Sequence, residues 1–471
     1  MSGYKCIVIL ILLSLLSGFF WSHNLFGRGL SYGSDEPQYN SLAKSLYLYG
    51  KYAPSDPNEP AWYTASEPGY PIFLAGVYKM FGLENFDAAR FTQLFIFAFT
   101  VILIYLLVCD LIGKKYGFLA GVLIVLFFPL AGMAGSLLRE VLFTFLLVSS
   151  IYSLYRAQKE FKLSWFILAG SALGLAVFTN AIIEFFSIIF VICALIVLKK
   201  DFFRHKRWLK IALFVFLSFL PALLWNVQSY ANPEGVTTNV KNGFILARRA
   251  EMIETIRGEK YFRHLGGLMF GYYFFEKKGF SPTEFMGQPG NTKKINEWTV
   301  QGYGAEDIGR KFQDESVGII LKNIPRFFAI SLLDFLQFNG PMLPSPENLG
   351  VGPMQNLFIQ NTHPGLPIVF KIAVLIVLRI LFWLFFGFVI YGIIKSIAAL
   401  RKWEAPAATD GKKWGWLLVV AVVLYFNLVY SALYGMARYS IPVYPFYVIL
   451  FVFGICNFTE YVRHCRQSKI K

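Results

Sequence analysis

The stretch "CIVILILLSLLSGFFWSHNLF", residues 6–26, runs 21 positions without a charged side chain. A helix of about 20 apolar residues is what crosses the hydrocarbon of a bilayer. Only Lys5 precedes it as a basic residue and no small-residue cleavage site follows, so the run reads as a retained first span rather than a signal peptide. The remainder repeats the pattern. Of 471 residues, 56% are hydrophobic and 15% charged, with a mean hydropathy of +0.53, whereas a soluble chain carries about 25% charged residues. Apolar runs at 6–26, 89–112, 117–134, 141–156, 164–180, 184–198, 208–227, 368–396, 414–434 and 440–458 give ten candidate spans. Lipid offers no water to satisfy backbone groups, so each run must close its own hydrogen bonds as a helix. The expected fold is therefore an all-α polytopic membrane protein of about ten or more transmembrane helices. Amphipathic surface helices are expected in its first outer loop, together with one large outer loop.

The net charge of +16 does not call for nucleic acid. Its excess falls in short connections, "GKK" at 113–115, "RAQKEFK" at 156–162, "KKDFFRHKRWLK" at 199–210, "LRKWEAPAATDGKKW" at 400–414, and the tail at 463–471. Basic connections stay in the cytoplasm, which places both termini inside and the segments 28–88 and 228–366 outside. The five cysteines lie in or beside apolar runs or in the tail, which indicates neither a disulfide framework nor a cysteine metal site. The histidines are scattered, no Asp- or His-rich constellation stands out, and no obligatory metal or other cofactor is expected. The organisation reads as an N-terminal transmembrane module over 1–230, a large extracytoplasmic loop over 231–366, and C-terminal transmembrane helices with a basic tail over 367–471. Two stretches strain the count. "FFAISLLDFLQF" (327–338) is short and holds Asp334, so it suits an interfacial helix. Arg379 fits the outer interface if its span slides toward 380–400.

Charged residues at the outer ends of the spans carry the functional signal. "SDEPQYNSLAKSLYLYG" (34–50) reads as a short amphipathic helix opening on Asp35 and Glu36 and ending at Gly50. Ser34 or Asp35 can cap it, Pro37 suits its first turn, and acids favour the positive end of the helix dipole. A carboxylate held at a helix start is also rigid, as a general base must be. "EPGYPIFLAGVYKMFG" (67–82) reads as a second surface helix, with Tyr70 in its turn and Lys79 near its end. "GSLLREVLFTF" (135–145) places Arg139 and Glu140 at the outer start of the fourth span, where an interfacial ion pair is the ordinary explanation. "MARYSIPVYPF" (436–446) places Arg438 and Tyr439 in the last outer turn, where an Arg reaching for headgroups and a Tyr in the aromatic belt would be unremarkable. Asn180 and Glu184 flank one more outer turn. Carboxylates and arginines gathered on one side suit a substrate with a phosphate and a lipid tail: Arg grips phosphate oxygens bidentately, and a carboxylate can take a proton from an attacking hydroxyl. "EDIGRKFQDESVGIILKNIPRFF" (306–328) reads as one helix descending toward the bilayer at Pro325.

"DEPQYNSLA", "EPGYPIFLAGVYKMFG", "SLLREVLFTFLL" and "ARYSIPVYPF", in that order and spacing, resemble the GT-C superfamily of integral membrane glycosyltransferases. The similarity is to the bacterial branch that includes lipid A sugar transferases and, more distantly, to protein O-mannosyltransferases. The resemblance implies inverting transfer of a sugar from a polyprenyl-phosphate donor to a lipid, polysaccharide or protein acceptor, on the extracytoplasmic side of the inner or plasma membrane. It also implies Asp35 as catalytic carboxylate, Glu36 as its partner, Glu140 in a second acidic motif and Arg438 as a donor-phosphate ligand. Glu67 stands where related sequences often carry a basic residue, and Asn180 near where they often carry an arginine. The donor-binding set is therefore sought among Arg139, Arg438, Lys79, Tyr439 and Tyr70. The alternative is a transporter or flippase of lipid-linked sugars, which would put charges near the midplane and repeat its halves. Neither feature is visible, and a non-enzymatic scaffold is the remaining reading.

Overall fold

The apolar runs fold as the sequence dictates, into helices. The computed structural model describes residues 3–30, 35–56, 58–59, 63–64, 66–198, 202–203, 206–231, 238–270, 289–340, 342–343, 352–353, 368–401 and 411–468. Ser34, parts of the basic connections at 199–210 and 400–414, and residues 469–471 of the tail lie outside the described residues. In chain order the first helices are α1 (Gly3–Ser22), α2 (Glu36–Tyr49), α3 (Gly69–Phe81), α4 (Phe86–Leu111), α5 (Lys114–Leu126), α6 (Phe128–Met133) and α7 (Glu140–Glu160). Then come α8 (Leu163–Thr179), α9 (Phe186–Leu198), α10 (Arg207–Ala231), α11 (Thr238–Thr255), α12 (Glu259–Phe270) and α13 (Pro289–Val300). The last are α14 (Ala305–Lys322), α15 (Ile324–Phe338), α16 (Ile368–Arg401), α17 (Gly411–Ala432) and α18 (Tyr444–Ser468). A two-residue antiparallel pairing, Met342–Leu343 with Gly352–Pro353, lies after α15.

The chain is an all-α polytopic membrane protein, but the expected ten or more long spans are not found. Among the described residues seven helices are long and apolar enough to cross: Gly3–Leu25, Phe86–Leu111, Glu140–Glu160, Arg207–Asn226, Ile376–Leu400, Lys412–Ala432 and Ala437–Cys465. The run at 117–134 is broken. Phe127 leaves the helical region at φ −75°, ψ 84°, and Pro129 starts α6 because it lacks the N–H that would continue α5. The runs at 164–180 and 184–198 form the shorter apolar helices α8, of 17 residues, and α9, of 13; 17 residues rise about 25 Å, short of a full hydrocarbon core. Arg379 lies within α16, which runs unbroken over Ile368–Arg401. The Arg379 guanidinium donates to the Leu268 carbonyl at 3.0 Å.

The spans divide by what they face. Leu12, Leu13, Leu16, Phe19 and Phe20 of α1 are exposed large apolar side chains, as suits a peripheral helix against lipid. Most of α7 is buried, so α7 stands at the centre, with Glu140 in its first turn. α16 and α18 cross backbone to backbone at Gly392 and Gly454; a Cβ on either would collide with the Leu450 or the Phe388 carbonyl oxygen. Small residues give membrane helices this close approach, where van der Waals contact replaces the hydrophobic driving force.

Two expected surface helices form: α2 ends where Gly50 adopts a left-handed φ of 65°, and α3 stops at Gly82. The helix expected over 306–328 is instead two, because Asn323 (φ −130°, ψ 39°) interrupts it and Pro325 opens α15. α15 joins two apolar clusters. Ile330 and Leu333 pack with Met252 and Ile253 of α11, while Phe338 enters the main core and stacks on Tyr430 at 4.9 Å.

Candidate active site

Three motifs widely separated in sequence meet at one guanidinium. α17 ends at Ala432, and the chain turns through 433–436 into a 3-10 segment, Ala437–Val443, that leads into α18. Arg438 leaves this turn toward the starts of α2 and α7. Its Nη2 lies 2.6 Å from Asp35 Oδ2, and its Nε lies 3.0 Å from Glu140 Oε1. Side-chain exposure grades across the cluster, 43% for Asp35, 18% for Arg438 and 7% for Glu140, so Glu140 forms the floor and Asp35 the open side. Glu140 Oε2 is buried and has no hydrogen-bond partner. A buried carboxylate oxygen without a partner is costly.

Asp35 does not cap α2. It occupies the N-cap position, but with φ −77°, ψ 0° and no side-chain bond to the first helical N–H groups. The carboxylate instead turns to Arg438, because a charge-assisted pair outcompetes a bond to a neutral amide. Its backbone carbonyl still accepts from Tyr39 N–H at 3.1 Å. Glu36, one residue on, points elsewhere. Its Oε1 accepts from the Leu137 N–H at 3.1 Å, and the side chain is buried. Glu36 is thus a tie between α2 and the segment before α7, not a second carboxylate on Arg438.

That segment is in turn held by α4. Arg90, 1% exposed, donates Nε to the Gly135 carbonyl at 3.0 Å and Nη1 to the Arg28 carbonyl at 2.9 Å, and pairs with Asp87 at 2.8 Å. Gln93 Nε2 donates to the Ala134 and Ser136 carbonyls at 3.2 and 2.7 Å. Two adjacent turns of one helix therefore fix the backbone that carries Leu137, Arg139 and Glu140.

Arg139 does not face Glu140 as an isolated pair. Its Nη1 is ion-paired with Glu67, just before α3, and lies 3.5 Å from the Thr179 carbonyl at the end of α8. Burial alone would pull this guanidinium down, and the neighbouring Glu67 and Glu140 carboxylates push it up. Burial pushes the Tyr39 hydroxyl up, opposed by Arg139 and reinforced by Asp35, Glu140 and Glu67. Tyr39 therefore stays a neutral hydroxyl among all of these charges. Tyr70 is fully buried behind it, edge-on to the Tyr39 ring at 5.0 Å, with its hydroxyl on Gln93 Oε1 at 3.2 Å. Tyr439 stacks on Tyr430 at 5.2 Å and lies 5.6 Å under the Arg438 guanidinium carbon.

Of the residues singled out in the sequence, the structure brings Asp35, Glu140, Arg438 and Tyr439 into contact, with Glu36 and Arg139 in the wall. Tyr70 is a support for Tyr39. Lys79 is exposed in the last turn of α3, about 15 Å along that helix from its start, and is not part of the cluster. Sequence reasoning missed Tyr39, Arg90 and Gln93. Tyr39 carries one usable signal, its place one helical turn after Asp35. Asn180 caps the short turn Ala181–Ile183 through Oδ1 and the Ile182 N–H at 3.3 Å. Among the described residues no group of three His, Cys, Asp or Glu is arranged to hold a metal ion.

The fold has counterparts among solved membrane enzymes. It is shared with the archaeal oligosaccharyltransferase AglB from Archaeoglobus fulgidus, in a complex with an inhibitory peptide and a dolichol-phosphate, at a TM-score of 0.52 and 14% identity over 99% of this chain. The apo form of the Archaeoglobus fulgidus oligosaccharyltransferase gives 0.53, again at 14% identity and 99% coverage. The chain spans about half, 52%, of the length of either. Residues 60–225 match the family described as dolichyl-phosphate-mannose-protein mannosyltransferase. That match takes in Glu67, Tyr70, Lys79, Arg139 and Glu140, and bears out the resemblance read in the sequence. No curated protein matches the chain by sequence.

Proposed function

We propose that this chain is a glycosyltransferase that moves a sugar from a polyprenyl-phosphate donor to an acceptor hydroxyl on the extracytoplasmic side, with inversion. The observation that carries this is Arg438 held between Asp35 and Glu140. One cation between two carboxylates, hydrogen-bonded to Asp35 and ion-paired with Glu140, gives a phosphate ligand and a proton acceptor side by side. In the resting site Arg438 is engaged by Asp35. A donor phosphate competes for the same guanidinium, and as it takes the fork of donors it frees the Asp35 carboxylate. The acceptor hydroxyl then attacks the anomeric carbon from the face opposite the phosphate. The hydroxyl proton passes to Asp35, the bond from the anomeric carbon to the phosphate oxygen breaks, and polyprenyl phosphate leaves with its developing charge on Arg438. Glu140 holds Arg438 in place throughout.

The sidedness rests on the basic connections. In this reading 231–366 is an extracytoplasmic loop, and the site draws on both 1–230 and 367–471. The acceptor is a lipid, polysaccharide or protein, and membrane lipids bathe the donor tail. Mass spectrometry of extracted lipids and surface glycans, with and without the protein, tests the assignment. Loss of one glycosylated product with accumulation of a polyprenyl-phosphate sugar is expected. Identical lipid and glycan profiles would overturn it.

A further inference from the structure

Asp334, the one acid of α15, is fully buried, outside the cluster just described. Its Oδ1 accepts from the Gly435 N–H at 3.0 Å, and its Oδ2 lies 2.7 Å from Arg249 Nη2. Arg248 approaches Oδ1 at 4.0 Å. Gly435 is in the turn that delivers Arg438, three residues before it. The turn also meets α15 through its backbone: a Cβ on Gly435 would collide with the Asp334 carbonyl oxygen. A second thread runs parallel. The Arg248 guanidinium carbon sits 3.4 Å from the Tyr434 ring centroid, Tyr434 packs edge-on to Tyr439 at 5.7 Å, and Tyr439 lies under Arg438. Arg249 Nη2 also donates to the Ser431 carbonyl at 2.7 Å, at the end of α17.

α15 itself cannot drift. Beyond the Phe338 stack, Asn339 Nδ2 donates to Asn427 Oδ1 at 2.7 Å, Asn427 Nδ2 donates to Tyr447 Oη at 2.6 Å, and Tyr447 Oη donates to Asn339 Oδ1 at 2.6 Å. This closed polar ring joins the end of α15 to α17 and α18. A hydrogen-bonded ring with every member satisfied rigidifies what it joins.

We propose that Asp334 is a positioning residue for the transfer reaction: it pins the turn 433–436 to α15 so that Arg438 meets Asp35 and Glu140 in register. The inference rests on the reading of Arg438 as the phosphate ligand. It gives the large loop a task besides contact with an acceptor, since α11 and α15 set the geometry of the donor's cation. A displacement of about 1 Å in a reacting group can cost on the order of 10²-fold in rate.

The test is a double-mutant cycle on the full chain, with turnover measured as release of polyprenyl phosphate. Asp334→Ala should lower turnover about 10- to 100-fold in the otherwise native protein, and by less than about threefold when Arg438 is already Ala. Equal losses in both backgrounds would show that Asp334 supports the fold and not Arg438, and would overturn the proposal. Gly435→Ala moves the same turn with every charge intact and should give the same signature; it serves where Asp334→Ala fails to insert. Amide hydrogen exchange over 433–440 is the readout independent of chemistry: either variant should exchange faster there while the α7 amides keep their protection. If the native protein transfers no sugar, the functional reading falls while this exchange arm still decides the role of Asp334. Unchanged exchange over 433–440 refutes it.

Discussion

Replacing Asp35 by Asn removes a proton acceptor while disturbing little else. The carboxylate is 43% exposed on its side chain and meets Arg438 at 2.6 Å. An ion pair that open to solvent contributes about 0–1 kcal/mol, and the Asn amide oxygen can still accept from Arg438 Nη2. Asp35 makes no side-chain capping bond, so α2 loses no cap. Stability should therefore fall by about 1 kcal/mol or less. The chemistry should suffer far more. A positioned general base contributes about 10²–10⁴-fold, which is roughly 3–5 kcal/mol on the barrier. The gap between these figures makes the experiment decisive. Purified Asp35→Asn, in lipid nanodiscs at saturating donor and acceptor, should release polyprenyl phosphate two to four orders of magnitude more slowly than the native protein. Its unfolding temperature should move little. Native turnover in this variant would remove Asp35 from proton transfer and pass the role to Glu140, whose Oε2 is free of hydrogen-bond partners.

Arg438→Ala should weaken binding of a short-chain polyprenyl phosphate and slow turnover, with Lys restoring only part because it lacks the planar fork; equal affinity in the Ala variant, read by calorimetry, would return Arg438 to a headgroup anchor. Glu140→Gln should lower turnover about 10- to 100-fold by loosening Arg438 yet leave a measurable rate, whereas a loss as deep as that of Asp35→Asn would make Glu140 the base. Single cysteines at 50, 240 and 300 should react with an impermeant thiol reagent from outside and one at 205 from inside, so labelling of 205 from outside would reverse the assigned orientation.

How much of this site could be read from the chain depended on how far each residue's partner lay. Asp35, Glu140 and Arg438 were legible because charges at the ends of apolar runs stand out, and their shared side of the membrane already grouped them. What each does was less legible. Asp35 looks like a helix cap because its own neighbours invite one, and only a guanidinium 403 positions away takes it elsewhere. Glu36 looks like its twin, yet adjacent residues at a helix start point about 100° apart, the angle set by 3.6 residues per turn. Its partner, the Leu137 N–H, is invisible to any local pattern. Lys79 was a candidate by charge alone, and periodicity does not say that its end of α3 faces away. The break at Phe127 and Pro129 escaped for a different reason: average hydropathy over a window counts apolar residues and is blind to a missing N–H. Asp334 was recognised as out of place, but its meaning lay in Arg249 and Gly435, each reached only through the folded large loop.

The same 403-residue separation has a consequence for biogenesis. At about 5–20 residues per second, the ribosome makes Arg438 about 20–80 s after Asp35. Until then both carboxylates of the cluster wait without their cation, and the first and last hairpins of the bundle have no ionic contact between them. The centre cannot assemble stepwise as helices are inserted; it forms in one event, when the final hairpin docks. A nascent chain stalled before that hairpin carries Asp35 and Glu140 without Arg438, and so lacks the arrangement proposed for transfer.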